Sequence, residues 1–469
     1  MQNEKDVMMT MPADDLDQLD ALSADVAAWG AAWQRNAHRS AVARPDAQLA
    51  AAPLPQHAEG AAAAFAAFRR DIAPGLSASV GPRYLGFVTG GVTPAALLGD
   101  WLASAVDQNL ASPGDSVAPL VERQALDWLG ELFDLPSAFE GVLTTGATAA
   151  NLLGLLCARQ HGGLRQGMDI ARDGWGGARI EVFAASPHAS SVKALALAGF
   201  GREAYRRVAC LQDSEAMDVA ALGRMLDDST APGKVVIASA GTVTGTDFDD
   251  LRAIAALCER HGAWLHVDGA FGLFSRLTPA RQGWTDGLEL ADSITSDGHK
   301  WLNVPYDCGF FFTRHAVLLQ QTCSVSAPYL DLGAGLPAMM DRGIENSRRF
   351  RALAVWFCLR AYGRAGVAAW VEANCRQASA FAAWLDAAPG YTLLKPPRLN
   401  VVVFRPAAHV DARALMTHIN RSGEAFVTPG VWQGTPALRA AFSNWRSGDD
   451  DVRQVCALLA RLAGDEGRD

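Results

Sequence analysis

Between residues 142 and 313 the chain alternates short, nearly continuous apolar runs with longer stretches of helical spacing, and this alternation constrains the fold more than any other feature. The apolar runs are VLTT (142–145), RIEVFAAS (179–186), YRRVA (205–209), KVVIASA (234–240), AWLHVD (263–268), SITS (293–296) and CGFFFT (308–313). Helical periodicity fills 147–161, 189–199, 217–229 and 249–261. Strands apolar on both faces must be covered on both faces, and helices between them supply the crossovers that parallel pairing requires. The spacing therefore predicts an α/β fold with a large, mostly parallel sheet. In such sheets ligands bind outside the carboxyl ends of the strands, where the strand order reverses. His188, Thr242, Asp268 and Lys300 all follow strand runs, where that rule puts a site.

The flanks are different in kind. Residues 1–80 show helical spacing around Leu16, Leu19, Leu22, Val26 and Trp29, and an Ala-rich helix in AEGAAAAFAAFRR (58–70). They hold too few large apolar residues for a core of their own, so they are expected to pack on a partner subunit. GPRYLGFVTGGVTP (81–94) reads as an irregular loop with Pro94 opening a helix, and APLVERQALDWLGELFDLP (118–136) as an amphipathic helix stopped by Pro136. With the strands these make a large domain, 81–346. PYLDLGAGLPAMMDRGIENS (328–347) reads as a lid loop. Residues 347–469 mix helices with NVVVF (400–404), AFVTP (425–429) and LRAAF (438–442), and predict a small C-terminal α/β domain.

Charge and cysteine usage bound the partners. With 41 basic against 50 acidic residues the net charge is −9, and without a basic cluster neither nucleic acid nor an anionic membrane is an expected partner. No run of about eighteen apolar residues is present to span a bilayer. The eight cysteines are dispersed without a Cys-x-x-Cys pair, and MQNEKDVMMTMPADDLDQLD lacks the apolar core of a signal peptide. Both observations predict a reduced, cytoplasmic protein.

The chemistry-bearing residues are informative together. Lys300, in ADSITSDGHKWLNVPYDCGFFFTR (291–314), is placed to act as an amine nucleophile that forms a Schiff base with a carbonyl. Asp268 ends an apolar strand, where a carboxylate is costly unless it faces a cation such as a protonated pyridine nitrogen; the plainer role is to cap the turn after it. His188, in ASPHASSVKAL, is either a satisfied core histidine or an imidazole lying over a flat ring. In LTTGATAANLL (143–153), Gly146 permits a tight turn and Ala147 and Thr148 present backbone N–H groups at a helix start, where an anion is stabilised; an ordinary Thr-capped turn is the alternative. The stretch has neither a Walker lysine nor G-x-G-x-x-G, so nucleotide motifs do not apply. A lysine for an aldehyde, an acid for a ring nitrogen, a stacking ring and a helix terminus for phosphate describe a site for pyridoxal 5'-phosphate (PLP).

DWLGELFDLP, TTGATAANL, the H-x-S-x-x-K-A of His188 to Ala194, LHVDGAFG, DGHKWLN with YDCG, and SRRFRALAVWF occur in that order over roughly residues 80–365. This pattern resembles the group II PLP-dependent decarboxylases, which include aromatic-amino-acid, glutamate and diaminobutyrate decarboxylases. The resemblance implies the PLP-dependent transferase fold type I (aspartate aminotransferase-like) and a homodimer with active sites at the interface. It implies that Lys300 carries the Schiff base, Asp268 faces the pyridine nitrogen and His188 stacks on the ring. Ala147, Thr148 and His299 match phosphate-side positions, and Thr242 and Ala270 match positions lining the cofactor. The implied activity is decarboxylation of an L-amino acid to an amine.

Three positions depart from the pattern. Aromatic decarboxylases protonate the substrate carbon with a lid tyrosine, and no tyrosine stands between Leu330 and Arg348. Gly81 replaces the usual histidine before Pro-Arg-Tyr-Leu, and Ala149 replaces an acid in the phosphate turn. The lid change keeps open an aldehyde-forming oxidative deaminase, a carbon–carbon lyase or an aminotransferase. A non-catalytic α/β regulator is a third possibility, against which Lys300, Asp268 and His188 stand together. Arg348, Arg349, Arg405 and Arg446 are unranked candidates for the substrate carboxylate or for salt bridges, and SNWR (443–446) either folds over the site or ends a strand.

Overall fold

The computed structural model describes residues 11–111, 116–324, 338–407 and 409–465. The apolar runs become β1 (Glu140–Thr144), β2 (Ile180–Ala184), β3 (Tyr205–Arg207), β4 (Gly233–Ser239), β5 (Trp264–Asp268), β6 (Ser293–Asp297) and β7 (Gly309–Thr313). They form one sheet in the order β1-β7-β6-β5-β4-β2-β3. Only β7 runs antiparallel to its neighbours; β2 to β6 are parallel. Every side chain of β5 is buried, as expected for a strand covered on both faces. Successive strands depart in opposite directions between β2 and β4, and Ser239, Asp268 and Thr295 lie level across the carboxyl ends of β4, β5 and β6. That is the switch point.

Among the described residues, fourteen helices surround this sheet and a smaller one. In chain order the first are α1 (Pro12–Asp17), α2 (Leu19–Asn36), α3 (Gly60–Ala67), α4 (Pro94–Val106), α5 (Ala118–Leu132), α6 (Ala147–Leu164) and α7 (Ile170–Asp173). The others are α8 (Ala189–Leu197), α9 (Val219–Asp227), α10 (Leu251–His261), α11 (Ala316–Cys323), α12 (Ala352–Ala387), α13 (Ala412–Ser422) and α14 (Asp449–Asp465). None of α1 to α3 contains a buried residue. Asp218, Asp250 and Asp411 cap α9, α10 and α13 through side-chain acceptors, which explains why those starts fall where the periodicity put them. α12 is interrupted at Gly363, whose φ is 56°.

The smaller sheet holds β8 (Tyr391–Lys395), β9 (Val401–Pro406), β10 (Thr428–Trp432) and β11 (Thr435–Ala441) in the antiparallel order β10-β11-β9-β8. Phe381, Phe404 and Phe442 meet edge to face beneath it. Sequence spacing placed the strands of the hairpin at 425–429 and 438–442; the structure starts β10 at Thr428 and β11 at Thr435. The turn is Gln433-Gly434, with φ of 48° and 77°, a pair that suits a tight two-residue hairpin connection. β8 was not anticipated, because YTLLK is a partly buried edge strand without clean alternation. The first half of the lid expected over 328–347 lies outside the described residues.

One ion pair fixes the start of α12 to the large sheet. Arg348 donates to both carboxylate oxygens of Glu122 on α5, at 2.8 and 3.1 Å, and both side chains are fully buried. Arg348 also donates to the Leu143 carbonyl at 2.7 Å, while Glu122 accepts the Leu143 N–H at 3.1 Å. Among the described residues no helix is long and apolar enough to cross a membrane.

Removing one partner strands the other charge in the interior. Arg348→Met should cost about 3–5 kcal/mol in denaturant unfolding, and adding Glu122→Leu should recover much of it. Equal losses in the single and double variants would refute this account.

Candidate active site

The carboxyl ends of β2, β4 and β5 open into a cavity of about 180 Å³. His188, Thr242, Asp268, Ala270 and Lys300 all line it. Ala147, Thr148 and His299 do not; they stand beside it at the amino end of α6. Gly146 precedes α6 with φ 151° and ψ 176°, a conformation essentially confined to glycine, and a Cβ there would lie 3.1 Å from the His299 ring. Thr148 is half-buried in the first turn of α6. The His299 ring stacks on Tyr306 at 4.4 Å, and the Tyr306 hydroxyl bonds that of Thr89 at 3.1 Å.

Asp268 is the best-held group in the site. Its Oδ2 accepts from Asn151 Nδ2 at 3.0 Å and from Ser191 Oγ at 2.9 Å, and its Oδ1 from the Ala270 N–H at 3.2 Å. Burial pushes its carboxyl up, but nearby positive charge, with Lys300 foremost at neutral pH, and the Asn151 hydrogen bond outweigh this and hold it below the usual carboxylate range. Behind it, His266 Nε2 meets Asn151 Oδ1 at 2.8 Å and Nδ1 meets Ser293 Oγ at 2.8 Å. Burial pushes His266 down to about 4. A neutral His266 donating from Nε2 fixes the Asn151 amide so that its NH₂ faces Asp268.

The remaining groups face Asp268 across the cavity. His188 caps α8: its Nδ1 accepts the Ser190 N–H at 3.1 Å and meets the Ser190 hydroxyl at 2.7 Å. Burial lowers its pKa, so at neutral pH it is an uncharged ring carrying its proton on Nε2. Lys300 Nζ lies 3.0 Å from Asp297 Oδ2 and 5.7 Å from the centre of the Phe271 ring.

Sequence reasoning missed Arg439. It reaches the cavity from β11, is 7% exposed, and its Nε has no hydrogen-bond partner among the described residues. Burial pulls its guanidinium down to about 10. The available signal was an arginine inside the apolar run ALRAAF. The four arginines considered from sequence do not line this cavity. Arg348 is engaged with Glu122, Arg349 with Asp100 at 2.6 Å, and Arg446 with Gln34 at 2.7 and 2.8 Å. Arg405 lies on β9. SNWR anchors the loop after Gly81: Asn444 donates to the Val80 and Gly81 carbonyls, and Ser443 to that of Thr89.

These residues fit PLP. An ionised carboxylate, bonded only by neutral groups, faces a cavity that also presents a primary amine and an uncharged imidazole. Gly146 has no side chain to cover the amino end of α6 beside it.

The family model for the pyridoxal-dependent decarboxylase conserved domain matches residues 45–407. The aromatic-L-amino-acid decarboxylase of Bacillus atrophaeus is 28% identical over 399 residues, 81% of this chain and 81% of that protein. The L-2,4-diaminobutyrate decarboxylase of Rhizobium meliloti (strain 1021) is 30% identical over 429 residues, 88% and 84% of the two chains. Among solved structures, Oryza sativa TDC with PLP and tryptamine superposes with a TM-score of 0.90 at 24% identity, covering 97% of this chain and 99% of that one. That likeness shows the fold, the PLP-dependent transferase fold type I expected from the motifs.

His266 gives the site a pH signature. Its unfolded imidazole titrates near 6.5 and its folded one near about 4, so the unfolded chain binds more protons in between and stability falls as pH drops through that window. Unfolding free energies at pH 6.5, 5.5 and 4.5 should fall more steeply for the wild type than for His266→Gln, by about 1.4 kcal/mol per pH unit. Parallel slopes would mean that His266 is charged in the fold.

Proposed function

The chain belongs to the pyridoxal-dependent decarboxylases, PLP-dependent carboxy-lyases, and from that premise we propose that it removes the α-carboxylate of an L-amino acid as carbon dioxide and releases the amine. The observation that carries this reading is the convergence of Lys300, Asp268, His188 and Arg439 on one cavity at the sheet's switch point. When bound, PLP supplies an aldehyde for the Schiff base and a ring that accepts the electrons left by the departing carboxylate.

Each protein group then has a defined task. Lys300 would supply the primary amine that holds the aldehyde. Asp268, ionised and immobilised by Asn151 and Ser191, would keep a proton on the ring nitrogen. His188 covers the ring face as a neutral imidazole, and Thr242 and Ala270 wall the cavity. Ala147, Thr148 and His299 attend the phosphate side. Arg439, whose Nε has no hydrogen-bond partner among the described residues, orients the substrate carboxylate through charge-assisted hydrogen bonds. Phe87, Val88 and Phe271 supply apolar walls that limit water.

The same reading extends to assembly. Leu16, Leu19, Val26, Leu98 and Leu102 are exposed and line one apolar hollow, which supports segment 1–80 packing on a second copy, with active sites at the interface of a homodimer. The division into 81–346 and 347–469 completes this proposed organisation. All eight cysteines are free, which supports a reducing, cytoplasmic setting.

A second reading has its own support. No tyrosine occurs between Leu330 and Arg348, so the lid lacks the proton donor that resembling aromatic decarboxylases use. An aldehyde-forming oxidative deaminase, carbon–carbon lyase or aminotransferase is the alternative it favours.

The PLP-loaded protein incubated with a panel of L-amino acids should give carbon dioxide matched by amine. Aldehyde with ammonia, or a keto acid without carbon dioxide, would replace the first reading by the second. Lys300→Ala should lose turnover together with the imine absorption of the cofactor, and retention of both would remove Lys300 from its role. Arg439→Gln should raise KM roughly 10–100-fold, the value of a charge-assisted hydrogen bond, with the cofactor absorption unchanged. An unchanged KM would exclude Arg439 as the carboxylate partner.

A further inference from the structure

A helix amino terminus beside a lysine draws anions, and here the chain supplies its own. Asp297 ends β6 with its side chain only 3% exposed. Its Oδ1 accepts the Ala147 N–H at the start of α6 at 2.5 Å and lies 3.5 Å from His299 Nε2. Its Oδ2 lies 3.0 Å from Lys300 Nζ. One carboxylate therefore holds both the first free amide of α6 and the amine of Lys300. Burial lowers the pKa of His299, so Lys300 is its one cationic neighbour in this cluster.

We propose that Asp297 is a positioning residue that occupies the anion seat at α6 and holds Lys300 in the cofactor-free protein, so that the phosphate of PLP binds against a resident negative charge. This rests on PLP binding at this site. Two anions sharing a poorly solvated seat repel strongly, because little water screens them. The arriving phosphate leaves the Ala147 N–H with Asp297 and turns to the neighbouring amides, or displaces the carboxylate toward Lys300. In either case the carboxylate opposes the phosphate group specifically, and not the pyridine ring.

Asp297→Asn keeps the shape and an oxygen for the Ala147 N–H while removing the charge. Apoprotein of both forms would be titrated with PLP and, separately, with pyridoxal, which lacks the phosphate, following imine absorption and tryptophan fluorescence. Any effect on the amine of Lys300 is common to both ligands and cancels in the ratio of their dissociation constants. The expected result is a Kd ratio of pyridoxal to PLP that rises about tenfold in Asp297→Asn, the scale of one like-charge contact at low exposure. Inorganic phosphate should also compete with PLP more strongly in that variant. Asp297→Ser, shorter but equally neutral, should raise the ratio in the same direction should the asparagine variant fold poorly. An unchanged or lowered ratio overturns the proposal and leaves Asp297 a cap for α6. Failure of the wild type to bind PLP at all would strike the cofactor reading instead.

Discussion

A carboxylate kept ionised at the end of a wholly buried strand is the constraint around which this molecule is built. Leaving Asp268 unpaired there would cost several kcal/mol, and the chain meets that cost with neutral dipoles. Asn151 comes from α6, Ser191 from α8 and the Ala270 N–H from the turn after β5, so three separate elements must meet for the charge to be tolerated. His266 and Ser293 extend the support one layer deeper into the sheet. The hydrogen bonds of Asp268 all come from neutral groups, so its oxygens are not committed to a salt bridge. The cavity in front of Asp268 follows from that choice.

The second organising relation joins the two sheets. Val401, Val403, Trp432 and Ala437 of the smaller sheet share one hydrophobic core with Val236, Ala238, Leu265 and Val267 of the larger one. Asp247, in the turn that carries Thr242, receives Lys395 and Arg398 from the C-terminal side. Thr242 itself donates to Glu215 at 2.5 Å, and its hydroxyl accepts the Asp247 N–H at 2.9 Å. The β4 turn is thus braced from both sides, and Arg439 enters the cavity from a sheet already packed against it.

Much of this was legible in the sequence because the large sheet is parallel. Such strands are continuous apolar runs, and residues at their carboxyl ends converge whatever the details of packing, which is why His188, Thr242, Asp268 and Lys300 could be placed together. What stayed hidden depends on partners distant in the chain. Asn151 looks like any polar residue of a helix until α6 is laid across β5, and His266 like a strand residue of no consequence. Arg439 sits in an antiparallel sheet, where an isolated arginine ordinarily marks the solvent face. The turn at Gly146 was legible as a helix start, yet its amide contact with Asp297 spans 150 positions and follows only from β6 and α6 lying side by side.

The route by which Arg439 arrives separates two kinds of change. Lys300 and Asp268 are fixed by β5, β6 and the loops that follow them, whereas Arg439 hangs from a hairpin turned at Gln433-Gly434. Lengthening, shortening or re-registering that hairpin moves the guanidinium along the cavity wall and leaves the β5 and β6 ends in place. In mutational terms the hairpin is a dial. It offers variation a way to retune what the cavity accepts without dismantling the apparatus beneath it.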